Sequence, residues 1–445
     1  MIPQLQRDIP VSSAAITPSW SAARKIGFRF AFSYFFLYIS PGPIGSLSPY
    51  KPIEAVSLNI FVAFWHQVVP WVGVNLLHLN AGMLNEVPNG SGDELYDYVL
   101  WFCIALGAVI VTAVWSVLDR KRPNYRTLDQ WLRLMMRMTV GWSMLGYGVK
   151  KLVGAQFPPP LLSRLRETYA QASPTGLLWT FMGASQAYSF FGGFGETLGG
   201  ALILVPMLTT LGTLISALML TNVLMLNLCY DVPRKIFTIN LLLMCGFLLL
   251  PELERLTNVF VLNRRAEPVV QPKLFKDKLL NMGVVALQLG FGAYVLLVAG
   301  KQSIEDRRDM VAKVPPAYLG IWSVAQFNRD GILHPPLLTD NERWQDVIFD
   351  WPKQLIIESM DGKQKGYYMQ LDAANHRASL WDIEHPSWRA LLNVTDLQAN
   401  RMTLEGKFGD HQINAVLNRV DLNDPVQFSL TNRGFHWVNP YVNNH

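Results

Sequence analysis

Residues 145–160, LGYGVKKLVGAQFPPP, set Lys150 and Lys151 side by side at the end of a long apolar run. An ionisable side chain in or near hydrocarbon costs about 3 kcal/mol or more and by default marks a functional position. Neighbours on a helix point about 100° apart, so the two lysines face different surroundings. One can snorkel to the head groups while the other faces the bundle. Lys151 is the expected inward residue: Tyr147, four positions earlier, shares its face, and Gly148 leaves room beside it. A partly desolvated lysine amine can act as a general base. The alternative is an interfacial anchor in which both lysines snorkel.

Other polar residues could meet the inward lysine. Glu196 lies in GFGETLGG, where flanking glycines permit close helix approach. A carboxylate there must be paired or protonated. Asp231 closes an apolar run in NLCYDVPRK, which also carries Asn227, and Asn222 lies in the same run. His66 and His78 belong to IFVAFWHQVVPWVGVNLLHL, residues 60–79. Lys151, Glu196, Asp231 and His66 are thus the candidate catalytic residues, and Tyr147, Asn222, Asn227 and His78 the candidate ligand contacts. Each has a plain structural alternative: Asp231 as a turn residue before Pro233, Asn222 as interhelical glue, the histidines as interface residues. No His/Asp/Glu spacing matches a metal motif such as HExxH, so no metal is expected. Cys103, Cys229 and Cys245 all lie in apolar runs without CxxC spacing and read as small apolar fillers.

The elements that must hold these residues read as membrane helices. Half of the 445 residues are hydrophobic and 16% are charged, whereas soluble domains carry about 25%. No basic run with interleaved aromatics points to nucleic acid. Apolar runs occur at 26–40, 98–118, 132–152, 176–250 (several in succession) and 279–300. They predict about six to eight spans, with 176–191 re-entrant or interfacial and 60–79 interfacial. The N-terminus shows no cleavable signal pattern, so the first span is expected to direct insertion.

Lysine and arginine gather in three segments: Arg24, Lys25 and Arg29; DRKRPNYRTLDQWLRLMMR; and NRRAEPVVQPKLFKDK. By the positive-inside rule these are cytoplasmic. Loop 41–95 then falls outside, as does everything after residue 300. In NGSGDELYDYV, Asn89–Gly92 read as a turn, with Asp93 and Glu94 at the start of a helix where acidic groups suit the dipole. Asp97, one turn deeper, is the one expected to face the site.

Residues 301–445 change character. KQLIIESMDGKQKGYYMQLD reads as a hairpin, and RASLWDI, NRMTLEGKF, HQINAVLNRVD and VQFSLTNRG as further short strands. They predict an all-β sandwich or small meander barrel. DNERWQDVIFDW reads as a turn capping it, with Arg343 and Trp344. Arg433 and His436, near the end, either line a polar pocket or close the barrel by packing. Small barrels of this kind can hold one small ligand.

The stretch YGVKKLVGAQF…LLSRL, with GGFGETLGGALILVP after it, resembles the DoxX-like and HTTM (horizontally transferred transmembrane) families. There a span ends in Gly-x-x-Lys-Leu and a later glycine-rich span carries a glutamate. NGSGDELYDYV, SVLDRKRPNY, YDVPRK and RGFHWVN resemble blocks of bacterial DoxX proteins. The vitamin K-dependent gamma-carboxylases belong to the HTTM group, and a lysine in a similar context is their base. The resemblance assigns that role to Lys151. DoxX relatives include subunits of a quinone-linked oxidoreductase, so it also implies membrane redox work on a quinone-type lipid.

The expectation is a multi-pass protein of the bacterial inner membrane with a periplasmic β domain. It would be a redox enzyme or redox-complex subunit acting on or with a lipophilic quinone-type molecule at the outer leaflet. A lysine-base, carboxylase-like reaction is a further possibility. The alternative is a non-catalytic anchor that presents its β domain to a partner complex.

Overall fold

A computed structural model describes residues 19–40, 51–84, 92–268, 273–311, 314–382, 384–385 and 387–432, with the backbone alone for 51–61. Arg433, His436 and Asn89–Ser91 lie outside the described residues. Helices α1 (Ala22–Ile39), α2 (Lys51–Asn75), α3 (Leu95–Leu118) and α4 (Arg126–Val153) come first, then the short α5 (Leu162–Arg166). α6 (Pro174–Ala184), α7 (Gln186–Leu204), α8 (Thr209–Cys229), α9 (Lys235–Leu249), α10 (Leu253–Phe260) and α11 (Lys278–Val311) complete the helical part.

Among the described residues, four helical stretches are long and apolar enough to cross a membrane: Leu95–Leu118, Pro206–Cys229, Lys235–Phe260 and Lys278–Met310. That is fewer than the six to eight expected. The 18 residues of α1 include Arg24, Lys25 and Arg29, and α4 carries Arg126, Asp129, Arg133 and Arg137 before its lysine pair. The run 176–205 breaks at Ser185, which is extended, leaving α6 with 11 residues and α7 diluted by Gln186, Glu196 and five glycines. On the four apolar stretches large side chains stay uncovered by protein, among them Ile110, Val117 and Leu118 of α3 and Leu279, Leu287 and Leu297 of α11. Lipid is the cover that such faces fit.

The chain divides into two compact units. The first comprises Met1–Val140, Ile203–Thr210 and Pro233–Gln288. In it the buried Arg29 donates to Tyr125 Oη at 2.7 and 3.0 Å, to Ser116 Oγ at 2.9 Å and to the Asp119 carbonyl at 2.7 Å. Tyr125 in turn donates to Asp119 Oδ2. A buried cation persists only with such full satisfaction. Asp93 does more than open its own helix. Its carboxylate accepts from the backbone N–H of Lys235 at 2.5 Å and of Ile236 at 3.1 Å, and so caps α9 across 142 residues of sequence.

The second unit comprises Gly141–Leu202, Leu211–Val232 and Leu289–His445. It holds the end of α4, α5 to α8 in whole or part, the end of α11, and a β-barrel. The strands are β1 (Gly320–Arg329), β2 (Ile332–Leu333), β3 (Trp344–Phe349), β4 (Gln354–Ser359), β5 (Gln364–Asp372), β6 (Arg377–Trp381), β7 (Arg389–Thr395), β8 (Arg401–Phe408) and β9 (His411–Arg419). Antiparallel neighbours run β1-β3-β4-β5-β6-β7-β8-β9, and β9 pairs back with β1, which closes eight strands into a barrel. β2 only extends the β1 hairpin through Asp330 and Gly331, both at positive φ as a type I′ turn requires.

The expected hairpin at 353–372 is β4–β5. Two expectations are corrected. Residues 344–349 of DNERWQDVIFDW form strand β3 rather than a turn, with Val347, Ile348 and Phe349 fully buried. Residues 426–432 of VQFSLTNRG are not a strand: Asp424 Oδ1 accepts from the Val426 and Gln427 N–H groups, and Ser429–Asn432 make a helical turn, α12. A side chain that bonds nearby backbone N–H groups competes with a ladder.

Candidate functional site

The end of α4 is built to keep Lys151 in place. Gly154, at φ +74°, donates to the Lys151 carbonyl at 3.0 Å, and Ala155 and Gln156 donate to the Lys150 carbonyl. Arg307 of α11 donates to the Val153 carbonyl. These bonds satisfy carbonyls that a helix C-terminus leaves open. Lysines in the last turn also suit the negative end of the dipole.

α7 lies against this end through its glycines. A Cβ at Gly193 would stand 2.7 Å from Lys151 Cβ and 2.8 Å from the Leu152 nitrogen; one at Gly200 would stand 2.8 Å from Met144 Cβ. On α4, a Cβ at Gly148 would fall 2.9 Å from the Gly193 carbonyl. The two backbones therefore approach with no room for a methyl group, the small-residue packing seen between membrane helices. On its other side α7 presents Gly199 to Ser216 and Gly195 to Met219 of α8.

That approach brings Lys151 Nζ to 2.5 Å from Glu196 Oε1. Both residues are buried, with Lys151 8% and Glu196 3% exposed, while Lys150 is only half-buried. Lys151 is thus the more buried of the two lysines. Glu196 Oε2 is also buried and has no hydrogen-bond partner, as are Thr197 Oγ1 and Ser216 Oγ. An unmatched carboxylate oxygen in a dry site is costly, and it is where a proton, a water or a polar substrate atom is stabilised.

The remaining expected residues are placed as follows. Tyr147 is half-buried one turn before Lys151. Asn227 is buried on α8, whereas Asn222 on the same helix is exposed. Asp231 is an exposed turn residue at φ +51°, and its carbonyl accepts from Thr175 Oγ1. In the first unit, His66 is exposed on α2 with its ring 6.0 Å from that of Tyr96, and His78 is exposed at φ +54° just beyond α2. Asp97 accepts from the Glu94 N–H as part of a capping box. Among the expected residues, Lys151 and Glu196 are joined directly.

The reading of the sequence missed one feature and left a second, the ligand-sized space of a small barrel, without residues. Residues 162–171 run along the outer wall of the barrel: the Leu162 N–H donates to Asp350 Oδ2 at 2.6 Å, Arg166 Nε to Asp346 Oδ2 at 2.9 Å, and Gln364 Nε2 to the Ser163 carbonyl at 3.1 Å. Leu162 and Leu165 pack there on a cluster of Ile321, Ile348 and Phe428. The other feature is an open barrel mouth lined by aromatic side chains. Aromatic residues at or next to strand ends on the inward face (Trp344, Tyr367, Trp388, Phe408) were the available signal.

Among the described residues one trio, Asp382, Glu384 and His385, brings potential metal-ligating atoms within 4.8 Å of one another. Lys365 Nζ already sits on Asp382 Oδ2 at 2.7 Å, and the other two residues are exposed.

The chain is similar to a protein of Bacillus subtilis (strain 168). The two are 29% identical over 142 residues, which is 32% of this chain and 86% of that protein, whose name is "Uncharacterized protein YwoB". No family model matches the chain. No solved structure matches it either.

Proposed function

We propose that the chain is an integral membrane protein whose helical part uses Lys151 and Glu196 to move a proton to or from a lipophilic, quinone-type molecule. It would do so as a redox enzyme or as a subunit of a redox complex. The observation that carries this reading is the buried 2.5 Å contact with its second carboxylate oxygen left open. Along such a bond a proton has two homes: ammonium with carboxylate, or amine with carboxylic acid. When a partner redox protein delivers electrons to a quinone, its oxygens take up protons, and the pair would hand one on. Glu196 Oε2 gives a donor from the ligand somewhere to bond.

On this reading the β domain lies outside the cytoplasm and the helices in the inner membrane, which the distribution of basic residues supports. Arg264, Arg265, Lys273, Lys276 and Lys278 precede or open α11, whose other end leads to the barrel. A periplasm-dependent reporter fused after residue 310 should be active; a silent one would reverse the orientation. The functional test is whether purified protein carries or binds quinone through Lys151 and Glu196.

A second reading is favoured by one observation. The segment after α4 grips the barrel through Arg166, Leu162, Leu165 and Ser163. This is what a non-catalytic anchor that holds a β domain ready for a partner complex would need. On that reading Lys151 and Glu196 only fasten α4 to α7.

A further inference from the structure

At the end of the barrel away from residue 320, where the chain enters β1, the strands enclose an open cavity of about 400 Å3. That is the size of a small-ligand site. Its walls are Trp344, Tyr367, Trp388 and Phe408. The loop from β8 to β9 is shaped for it: Gly409 has φ +62°, and a Cβ there would come 2.6 Å from Trp388 Nε1. A glycine at this turn thus lets the indole lie over the mouth.

Three properties limit what can enter. First, the cavity has a floor. Leu355, Met369, Leu380, Leu392, Leu404 and Leu417 are all buried in one cluster that fills the barrel, so a long acyl chain has nowhere to go. Second, the lining offers no unmatched cation. Arg329 pairs with Glu342, Lys365 with Asp382 and His411 with Asp330, and Asp410 adds a carboxylate at the rim. Donors and acceptors are both on offer, without the unmatched charge that selects phosphate or carboxylate. Third, the rings do not form a slot for a flat ligand. Phe408 meets Trp344, Tyr367 and Trp388 edge-on at 69–79°, and the one stacked pair, Tyr367 and Trp388, has centroids only 5.0 Å apart. A planar heterocycle has no parallel pair to slide between.

We propose that the barrel mouth is a binding site for a compact, uncharged, hydroxyl-rich ring, a saccharide unit. The C–H face of such a ring packs on one aromatic face while its hydroxyls bond to the charged rim. The site is independent of the Lys151–Glu196 pair and stands whatever that pair does.

The test uses the full chain in lipid nanodiscs prepared without sugar-based detergent, whose head group would compete. Saturation-transfer NMR and calorimetry would be run against a panel of neutral mono- and oligosaccharides, with adenosine, palmitate and inorganic phosphate as comparators. The expected result is transfer to ring protons of a saccharide, weakened at least tenfold by Trp388→Ala and by the exposed change Asp410→Ala. Asp410→Ala should keep the wild-type melting curve, and Trp388→Ala, which loses its ring contacts with Tyr367 and Phe408, should melt lower but still fold. Absence of saccharide binding in folded wild type, binding that neither variant changes, or preferential binding of adenosine, palmitate or phosphate would each overturn the proposal.

Discussion

Lys151 and Glu196, 45 residues apart in sequence, meet at 2.5 Å because α4 and α7 touch backbone to backbone through Gly148, Gly193 and Gly200. The pair and the glycines form one device. Without the close approach the side chains would not reach each other in a dry site.

The first prediction follows from the pair. Glu196→Gln or Lys151→Met each leaves one buried charge unmatched, which costs about 3–5 kcal/mol. Thermal or denaturant unfolding in a fixed detergent should show either single change as strongly destabilising. The double change should recover a clear part of the loss; additive effects would show that the residues are not coupled.

The glycines allow a graded test. Gly193→Ala and Gly200→Ala push a methyl group into the α4 backbone and should each cost about 1–3 kcal/mol. Gly192→Ala, next to them but with nothing within 4 Å of its Cβ, should be neutral or slightly stabilising. Equal effects at positions 192 and 193 would contradict the packing described.

Much of this site was legible in the sequence. Adjacent lysines at a helix end cannot share a direction, and glycines around a glutamate announce a close crossing. Other expected residues have visible structural roles or separate placements. Asp231, before Val232 and Pro233, serves a turn, and the i to i+5 spacing of Asn222 and Asn227 sends them to different faces of α8. The span count failed for a related reason. A hydropathy reading does not distinguish α4, which mixes apolar and charged residues along 28 positions, from a lipid-facing helix. In the barrel, hairpin turns revealed β4, β5, β8 and β9, but the charged start of DNERWQDVIFDW concealed β3. The partner of Asp93 lies 142 residues away and leaves no local signal.

That cap supplies the third prediction. Asp93→Ala removes the acceptor for two N–H groups at the start of α9 and should cost about 1–2 kcal/mol, while Asp93→Asn should cost less. Hydrogen exchange of the Lys235 and Ile236 amides reads this locally. Unchanged protection in Asp93→Ala would dismiss the cap.

The fourth concerns acid. The Lys365 ammonium beside Asp382 holds that carboxyl at about 2, below the ordinary carboxylate range. A depressed carboxyl contributes stability above its unfolded value, about 3.9, and that contribution is lost as pH falls from there through about 2. Unfolding followed between pH 4 and pH 2 should therefore show a steeper loss in wild type than in Asp382→Asn. Parallel curves would mean that the contact with Lys365 does not bias the titration.

The proton-transfer reading is tested most directly by quinone content. Protein would be purified from native membranes and reconstituted in nanodiscs with a lipophilic quinone, and the quinone retained per chain would be measured by chromatography. Wild type and Lys150→Ala should retain it. Lys151→Met and Glu196→Gln, checked as folded, should lose it at least tenfold. Equal retention by all four proteins, or none by wild type, would contradict a quinone site at Lys151 and Glu196 and leave the pair as a fastening between two helices.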